Sequence, residues 1–485
     1  MEDAQHRRAW VSKADLQRWQ AEQLQKYLVE TVLPFSKHYG QLGIDPRQIR
    51  SLDDLRRLPF SSKIEVQDHL LDFILKPDPQ ILARRPSTVL RALWRGRAAV
   101  QQEFEREYRP LMMTFTTGRS SEPVAFVYTG RDIDNLRRAG KAIMEICGAT
   151  REMRMVNMFP FAPHLAFWLT HYAGTEFGAF VTSTGGGKAM GTEGNLRLIK
   201  RLNPDVLIGM PTFMYHMLHE AIAHGVKCPK LTRIVLGGEK VPVGMRRKLK
   251  ALAAEAGATE PVKVLGIYGF TEAKMAWPEC APPEGVPASG YHLFPELGII
   301  ELVNPKTGEP VAEGAPGEVV FTPLDARGTV VLRYRTGDVA EGGSVYGPCP
   351  HCGRWLPRLV GPISRSSEVK EMRLEKLKGT LVDFNELEHV LDNVESVGTW
   401  QVEIRKAHDD PLELDELILH VLKANGEDDD HVRAELRERF MSALEVHPNK
   451  ILFHKPEEMR QLQGVGVQMK EQRVVDHRPT GRPNV

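Results

Sequence analysis

The residues best placed to do chemistry fall in short stretches. Tyr268-Gly269-Phe270-Thr271-Glu272 sets an aromatic face, a hydroxyl and a carboxylate within five residues, directly after the apolar run Val262 to Ile267. That run reads as a buried strand, and open α/β sheets bind ligands at the carboxyl ends of their strands. Tyr334-Arg335-Thr336-Gly337-Asp338 ends in a carboxylate that, on a tight turn, can take two sugar hydroxyls or can simply be a turn aspartate. Thr116-Thr117-Gly118-Arg119-Ser120-Ser121 groups hydroxyls, a glycine and one cation. Such a loop can wrap phosphate oxygens with backbone amides and short donors, or can be an ordinary polar loop. Gly237-Gly238-Glu239-Lys240 follows a strand, where paired glycines let the backbone approach a flat ligand. Phe159-Pro160-Phe161-Ala162-Pro163-His164 places aromatics and a histidine in a turn, and His164 reads as packed rather than catalytic.

A second chemistry is metal ligation. Cys349-x-x-Cys352 is half of a tetrahedral zinc site, and Cys280 with His292 would supply the other half. The alternatives are a redox dithiol, though no thioredoxin-like βαβ pattern surrounds it, or thiols with no such use. His351, inside the knuckle, is disfavoured as a ligand because adjacent ligands strain the loop.

The elements that must position these residues follow from periodicity. Asp15 to Leu33 reads as an amphipathic helix and Leu52 to Asp68 as a turn then a serine-capped helix. Strands are expected at Val124 to Thr129, Met155 to Met158, Asp205 to Gly209, Arg233 to Leu236 and Val262 to Ile267. Helical segments between most of them give an α/β pattern with a largely parallel sheet. From Gly298 the texture changes to strands at Ile299 to Val303, Gly317 to Thr322 and Val330 to Tyr334, a small β subdomain over about 298–360. A boundary is expected near Ser364 to Glu368. Beyond it Phe384 to Leu391 reads as a helix, Trp400/Val402/Ile404 and Leu417/Leu419/Val421 alternate as strands, and Lys450 to His454 is a further strand. Glu427 to Asp430 reads as the acidic start of a helix. The domains expected are 1–364 and 365–485, the second a small mobile α+β unit.

The chain has 485 residues, 64 Lys plus Arg against 63 Asp plus Glu, and is 42% hydrophobic. The length accommodates at least two cores. Charge balance argues against nucleic acid as a partner. Neither an export signal nor a membrane-spanning run is legible, which makes the expected compartment the cytoplasm. A homodimer is compatible with this reading.

In order, these stretches resemble the AMP-forming adenylating enzymes of the acyl-CoA ligase type, with closest likeness to the phenylacetate–CoA ligase branch. The branch marks are Leu58-Pro59-Phe60, Cys349-x-x-Cys352-Gly353-Arg354, and Lys470 followed by Arg473-Val474-Val475-Asp476-x-Arg478. The resemblance covers nearly the whole chain and implies a large N-terminal adenylating domain of mixed and parallel sheets. It implies ATP, Mg²⁺ and coenzyme A as reactants or cofactors and a carboxylic acid as substrate; structural Zn²⁺ is the reading of the Cys280, His292, Cys349 and Cys352 set itself. By the same resemblance the Thr116–Ser121 loop holds the β- and γ-phosphates. Gly238 and Glu239 border adenine, Tyr268 of the Tyr268-Gly269-Phe270 segment packs on it, and Thr271 and Glu272 meet the α-phosphate and Mg²⁺. Asp338 and Arg365 reach the ribose. Lys470 bridges the acyl carboxylate and the α-phosphate, and Phe159, Phe161 and Gly237 line the acyl pocket.

Departures from the family pattern are local. Ser121 stands where a second glycine is usual, Ser364 replaces the hinge glycine, and Met469 replaces a glycine before the lysine. Lys370 to Glu375 intervene before Lys378-Gly379, where the thiolation face should form. The expected function is activation of an acid, aromatic by its pocket residues, to an acyl-adenylate and its transfer to coenzyme A. The alternatives are transfer to another acceptor or adenylation of a cofactor, and an inactive nucleotide-binding relative.

Overall fold

A computed structural model describes residues 12–116, 123–365, 369–374, 377–406, 415–424, 426–444, 447–466 and 471–478, with backbone alone for 369–374, 377–386 and 444. By packing the chain forms two compact units, one of residues 1–153, 162–182 and 265–363, the other of 154–161, 183–264 and 364–485. The contacts thus group 364–485 with 154–161 and 183–264.

The first unit opens with the helix Lys13–Tyr27. Ser12 caps it by accepting from Asp15 N at 3.0 Å, and Leu16, Leu24 and Tyr27 are buried along one face. The expected single helix instead continues through a π turn, Leu28–Val32, which keeps Leu28 and Val32 buried ahead of Pro34. The expected serine cap is present on Lys63–Asp68, where Ser62 and Glu65 form a capping box. The short helices between 79 and 108 were not legible in the sequence. Pro110–Phe115 and Ala125–Thr129 pair antiparallel on either side of the hydroxyl-rich loop. Gly130–Ile146 follows, capped by Thr129 and Asp132.

The β subdomain is antiparallel. Gly298–Val303 pairs with Gly317–Pro323, which pairs with Tyr334–Ala340. The strand expected over Val330 to Tyr334 is not there. Val330, Val331 and Leu332 are fully buried but irregular, with main-chain amides bonded to Phe73 O and the Tyr39 hydroxyl. Arg333 has φ +45°, outside any ladder conformation, so the strand starts one residue later. Asp338 therefore lies within a strand rather than on a tight turn. Gly337 has φ +72° where the ladder slips register, a bulge that re-aims the next side chain.

In the second unit Arg154–Asn157, Val206–Gly209 and Arg233–Gly237 run parallel. Helices Gly186–Leu202, Pro211–Ala223 and Val243–Glu255 alternate with them, as the α/β pattern requires. Toward the C-terminus Val397–Lys406 and Asp415–Lys423 pair antiparallel, flanked in parallel by Val474–Asp476 and Lys450–Phe453. Trp400, Val402, Ile404, Leu417, Leu419 and Val421 bury the predicted alternation against helices Phe384–Asp392 and Asp429–Leu444. Asp428 accepts from Asp430 N and His431 N, so the acidic run caps its helix as expected. The inserted residues form a hairpin, Val369–Leu374 with Leu377–Asp383. Among the described residues no helix is long and apolar enough to cross a membrane.

Candidate active site

In the first unit the Tyr268 stretch ends the strand Lys263–Phe270 and turns through a 3₁₀ segment, Thr271–Ala273. Trp277, Phe270 and Tyr291 surround the Tyr268 ring, with centroids 5.8–5.9 Å away. Its hydroxyl donates to Asp338 Oδ2 at 3.0 Å. The Tyr334 hydroxyl donates to Glu272 Oε1 at 2.6 Å. The bulged strand thus meets the corner twice, and an aromatic face and two carboxylates are held together. An oriented carboxylate is the oxygen donor that Mg²⁺ takes alongside substrate phosphates, so Glu272 fits that ion.

Thr271 Oγ1 reaches Phe115 O at 3.5 Å, and a His164 ring nitrogen lies 2.8 Å from the same carbonyl. His164 is thereby engaged by main chain, in keeping with its reading as packed. Thr116 is buried and closes the base of the hydroxyl-rich loop: its N donates to Val124 O at 2.9 Å and its Oγ1 accepts from Val124 N at 3.0 Å. Thr117, Gly118, Arg119, Ser120 and Ser121 lie outside the described residues, as does Lys470.

The second unit carries the other predicted residues. Gly238 follows the strand Arg233–Gly237 with φ +83°, and a β-carbon there would touch Met210 and the Phe159 ring. Phe159 is buried beside it, whereas Phe161 is 64% exposed. Glu239 Oε2 accepts from Thr212 N at 3.3 Å and Thr212 Oγ1 at 3.1 Å, at the positive end of the helix Pro211–Ala223. Arg365 ends a short strand and is exposed.

Sequence reasoning missed Thr212, Tyr334 and Glu471. Glu471 is buried against Glu239 and Thr212; burial first, and then the Glu239 charge, push its carboxyl well above the usual range. Nothing in local spacing announces a pair 232 residues apart, although the Tyr334 phenol was visible at the head of a motif already singled out.

The remaining contacts of this unit form a seam between 183–264 and 364–485. Arg247 pairs with Glu395 at 2.8 Å and Lys240 with Glu388 at 3.2 Å. Lys248 donates to Gly398 O at 3.2 Å, and His216 Nε2 meets Gln463 Oε1 at 3.1 Å. Asp392 and Arg473 form a buried two-bond ion pair under Trp400.

Cys280, His292, Cys349 and Cys352 converge in the first unit, with ligand atoms all within 4.8 Å of one another. Cys280 Sγ lies 3.6 Å from Cys349 Sγ, and Cys352 Sγ 3.4 Å from His292 Nε2. A tetrahedral zinc ion with Zn–S of about 2.3 Å and Zn–N of about 2.0 Å calls for edges of about 3.8 and 3.5 Å. These two edges of the cluster match that spacing. His292 Nδ1 lies 3.3 Å from Pro278 O, the outer contact that would turn Nε2 inward. Burial opposes ionisation of Cys349, but Ser289, the amides of residues 352 and 351, and His292 together draw its thiol down to about 5. Arg354, next along, donates to Glu145 O near the end of the helix Gly130–Ile146 and ties the knuckle to the unit's body. His351 turns away to Pro287 O, as expected of a residue outside the ligand set.

Comparison with known proteins adds a lineage to this geometry. The AMP-binding enzyme family matches residues 58–323. The chain is 26% identical over 394 residues to the phenylacetate-coenzyme A ligase of Thermus thermophilus, spanning 81% of this chain and 78% of that protein. To the phenylacetate-coenzyme A ligase of Escherichia coli it is 24% identical over 457 residues, 92% of each. A solved 2-hydroxyisobutyryl-CoA ligase in its postadenylation state has a TM-score of 0.70 at 17% identity, over 96% of this chain and 91% of that one. The same enzyme with its adenylate and CoA in the thioesterification state has a TM-score of 0.56 at 18% identity, over 97% and 91%.

Proposed function

The chain belongs to the AMP-binding enzyme family, and from that premise we propose that it is an AMP-forming acid–CoA ligase acting on an aromatic carboxylic acid. A carboxylate oxygen attacks the α-phosphorus of ATP, the bond to the β-phosphate oxygen breaks, and pyrophosphate leaves. The thiol sulfur of coenzyme A, losing its proton, then attacks the acyl carbon, and AMP leaves with the bonding pair. The observation that carries this reading is the corner in which Tyr268 holds Asp338 and Tyr334 holds Glu272.

The difficulty of the first step is that two anions must meet, so catalysis requires positive charge aimed at the transition state. Mg²⁺, which Glu272 would hold, would supply part of that charge. Tyr268 packs on adenine, Asp338 and Arg365 take the ribose, and Thr271 orients the α-phosphate. Gly238 and Glu239 border the base, Thr116–Ser121 surrounds the outer phosphates, and Phe159, Phe161 and Gly237 line the acyl pocket. Lys470 neutralises the approaching carboxylate.

We read residues 365–485 as the lobe that carries Lys470 in and out. The burial of Glu471 against Glu239 supports this, because the residue next to Lys470 then lies at the loop that borders adenine. Cys280, His292, Cys349 and Cys352 hold a structural zinc ion that clips loops of the first unit and stays outside the chemistry. The cytoplasm, where ATP and coenzyme A are both at hand, is the compartment this activity needs.

Pyrophosphate release across a panel of aromatic acids, with and without coenzyme A, tests the proposal. Release together with thioester formation is expected. Absence of release with every acid refutes it, whether or not ATP binds. Release without thioester favours a different acceptor, a reading motivated by the hairpin Val369–Leu374 with Leu377–Asp383 where the thiolation face should form.

A further inference from the structure

Two residues beyond Glu272 the chain does something costly. Lys274 adopts φ +58°, a left-handed conformation disfavoured for any residue with a β-carbon, and buries its ammonium. Its side chain is 6% exposed and that of its partner, Asp132, 1%. Nζ lies 3.0 Å from Asp132 Oδ1 and 5.0 Å from the centre of the Tyr128 ring. The contact is an ion pair off the hydrogen-bond line, since Nζ has no aligned acceptor. A glycine at the same position would escape both costs. Strain and buried charge together at one residue ask for a role beyond stability, because buried ion pairs rarely outperform apolar residues of the same size.

The connections of Asp132 say what that role is. Its carboxylate accepts from Thr129 N at 2.9 Å, Thr129 Oγ1 at 3.0 Å, Gly328 N at 2.7 Å and Arg327 N at 3.1 Å. It is the fixed point where the helix Gly130–Ile146 begins and the 325–330 segment passes. Tyr128, under the ammonium, meets Thr114 Oγ1 with its hydroxyl at 3.2 Å. Thr114 lies two residues before Thr116, at the base of the hydroxyl-rich loop, and Phe115 O between them lies 3.5 Å from Thr271 Oγ1.

We propose that Lys274 is a positioning residue: anchored on Asp132 and Tyr128, it fixes the Thr271–Glu272 corner against the base of the phosphate loop, so that Glu272 meets the metal–nucleotide complex in register. This rests on the adenylation reading above. Lys274 touches neither nucleotide nor acid and acts through Glu272 and Thr271.

The test is ATP binding to the full chain by calorimetry, with Mg²⁺ titrated, alongside melting temperature. Lys274→Met is expected to raise the Mg²⁺ concentration for half-maximal ATP binding at least tenfold and leave metal-free ATP binding within twofold. Lys274→Gln, which keeps a polar contact to Asp132, is the variant to use if the methionine form does not fold, and should show the same change more weakly. Arg327→Met breaks another buried ion pair of this unit, with Glu107. It should lower the melting temperature without moving the Mg²⁺ dependence. Wild-type Mg²⁺ dependence in both Lys274 variants overturns the proposal, as does an equal shift in Arg327→Met. A wild-type chain that binds MgATP yet releases no pyrophosphate with any acid defeats the ligase reading alone, and the binding titration still decides this one. A wild-type chain that binds no MgATP defeats both.

Discussion

Gly244 offers a clean way to separate the two half-reactions. It opens the helix Val243–Glu255, and a β-carbon built on it would lie 1.6 Å from Asp392 O and 2.6 Å from Asp392 C. Ordinary contact begins at 3.4 Å, so in Gly244→Ala the two segments must part by about 1.8 Å. Alanine is the better helix former, by about 1 kcal/mol in a helix interior, so the substitution does not threaten the helix itself. What it disturbs is the seam. Arg247–Glu395 at 2.8 Å and Lys248–Gly398 O at 3.2 Å lie along the same helix, and neither bond survives a displacement of that size. If this posture is the one that delivers Lys470, a misplacement of about 1 Å costs on the order of 10²-fold in rate. ATP–pyrophosphate exchange should therefore fall by about 10²-fold. Thioester formation from supplied acyl-adenylate and coenzyme A, which needs another posture, should stay within about threefold on the same scale. Equal loss in both assays would mean that the seam supports the fold generally. Wild-type exchange would mean that the posture does not serve adenylation.

Lys470→Ala should cut pyrophosphate exchange by about 10²- to 10³-fold, as for other losses of a charge aimed at the transition state, and spare thioester formation from acyl-adenylate. Metal analysis of purified protein should find one zinc per chain. Cys349→Ser should lose it and melt lower, with residual activity at permissive temperature, and zinc-free wild-type protein with an unchanged melting temperature would dismiss the site. Burial holds His216 down to about 4, well below the 6.5 of an exposed histidine. The folded state then binds fewer protons than the unfolded one, so this contribution is complete above about pH 6.5 and is lost as pH falls toward about 4. Unfolding free energies from denaturant titration should drop across that window by up to about 1.4 kcal/mol per pH unit, and His216→Gln should flatten the drop.

Much of the site was legible because its parts are local. Tyr268 to Glu272 and Gly237 to Glu239 each combine a glycine with chemically distinctive side chains directly after an apolar strand run, and Cys349-x-x-Cys352 is a distinctive residue pair at fixed spacing. The alternation of Trp400, Val402 and Ile404 was equally direct, because one buried sheet face imposes a period of two. Val330 to Tyr334 shows where that logic ends: a fully buried irregular segment is as apolar as a strand, and only Arg333's left-handed backbone tells them apart. The pairing of Cys280 and His292 with the knuckle could be named from residue types, but the edges of 3.6 and 3.4 Å exist only once the loops are folded together.

By itself, then, the sequence determined the candidate motifs, their order and the period of the elements beneath them, since these depend on neighbours within a few residues. The tertiary structure alone decided that Lys274 meets Asp132, that Gly244 leaves room for Asp392, and that Glu471 lies on Glu239. Each joins residues more than a hundred positions apart through a buried charge or a missing side chain. None has a repeat to read, because each contact exists only once folding brings distant segments together and removes the water between them.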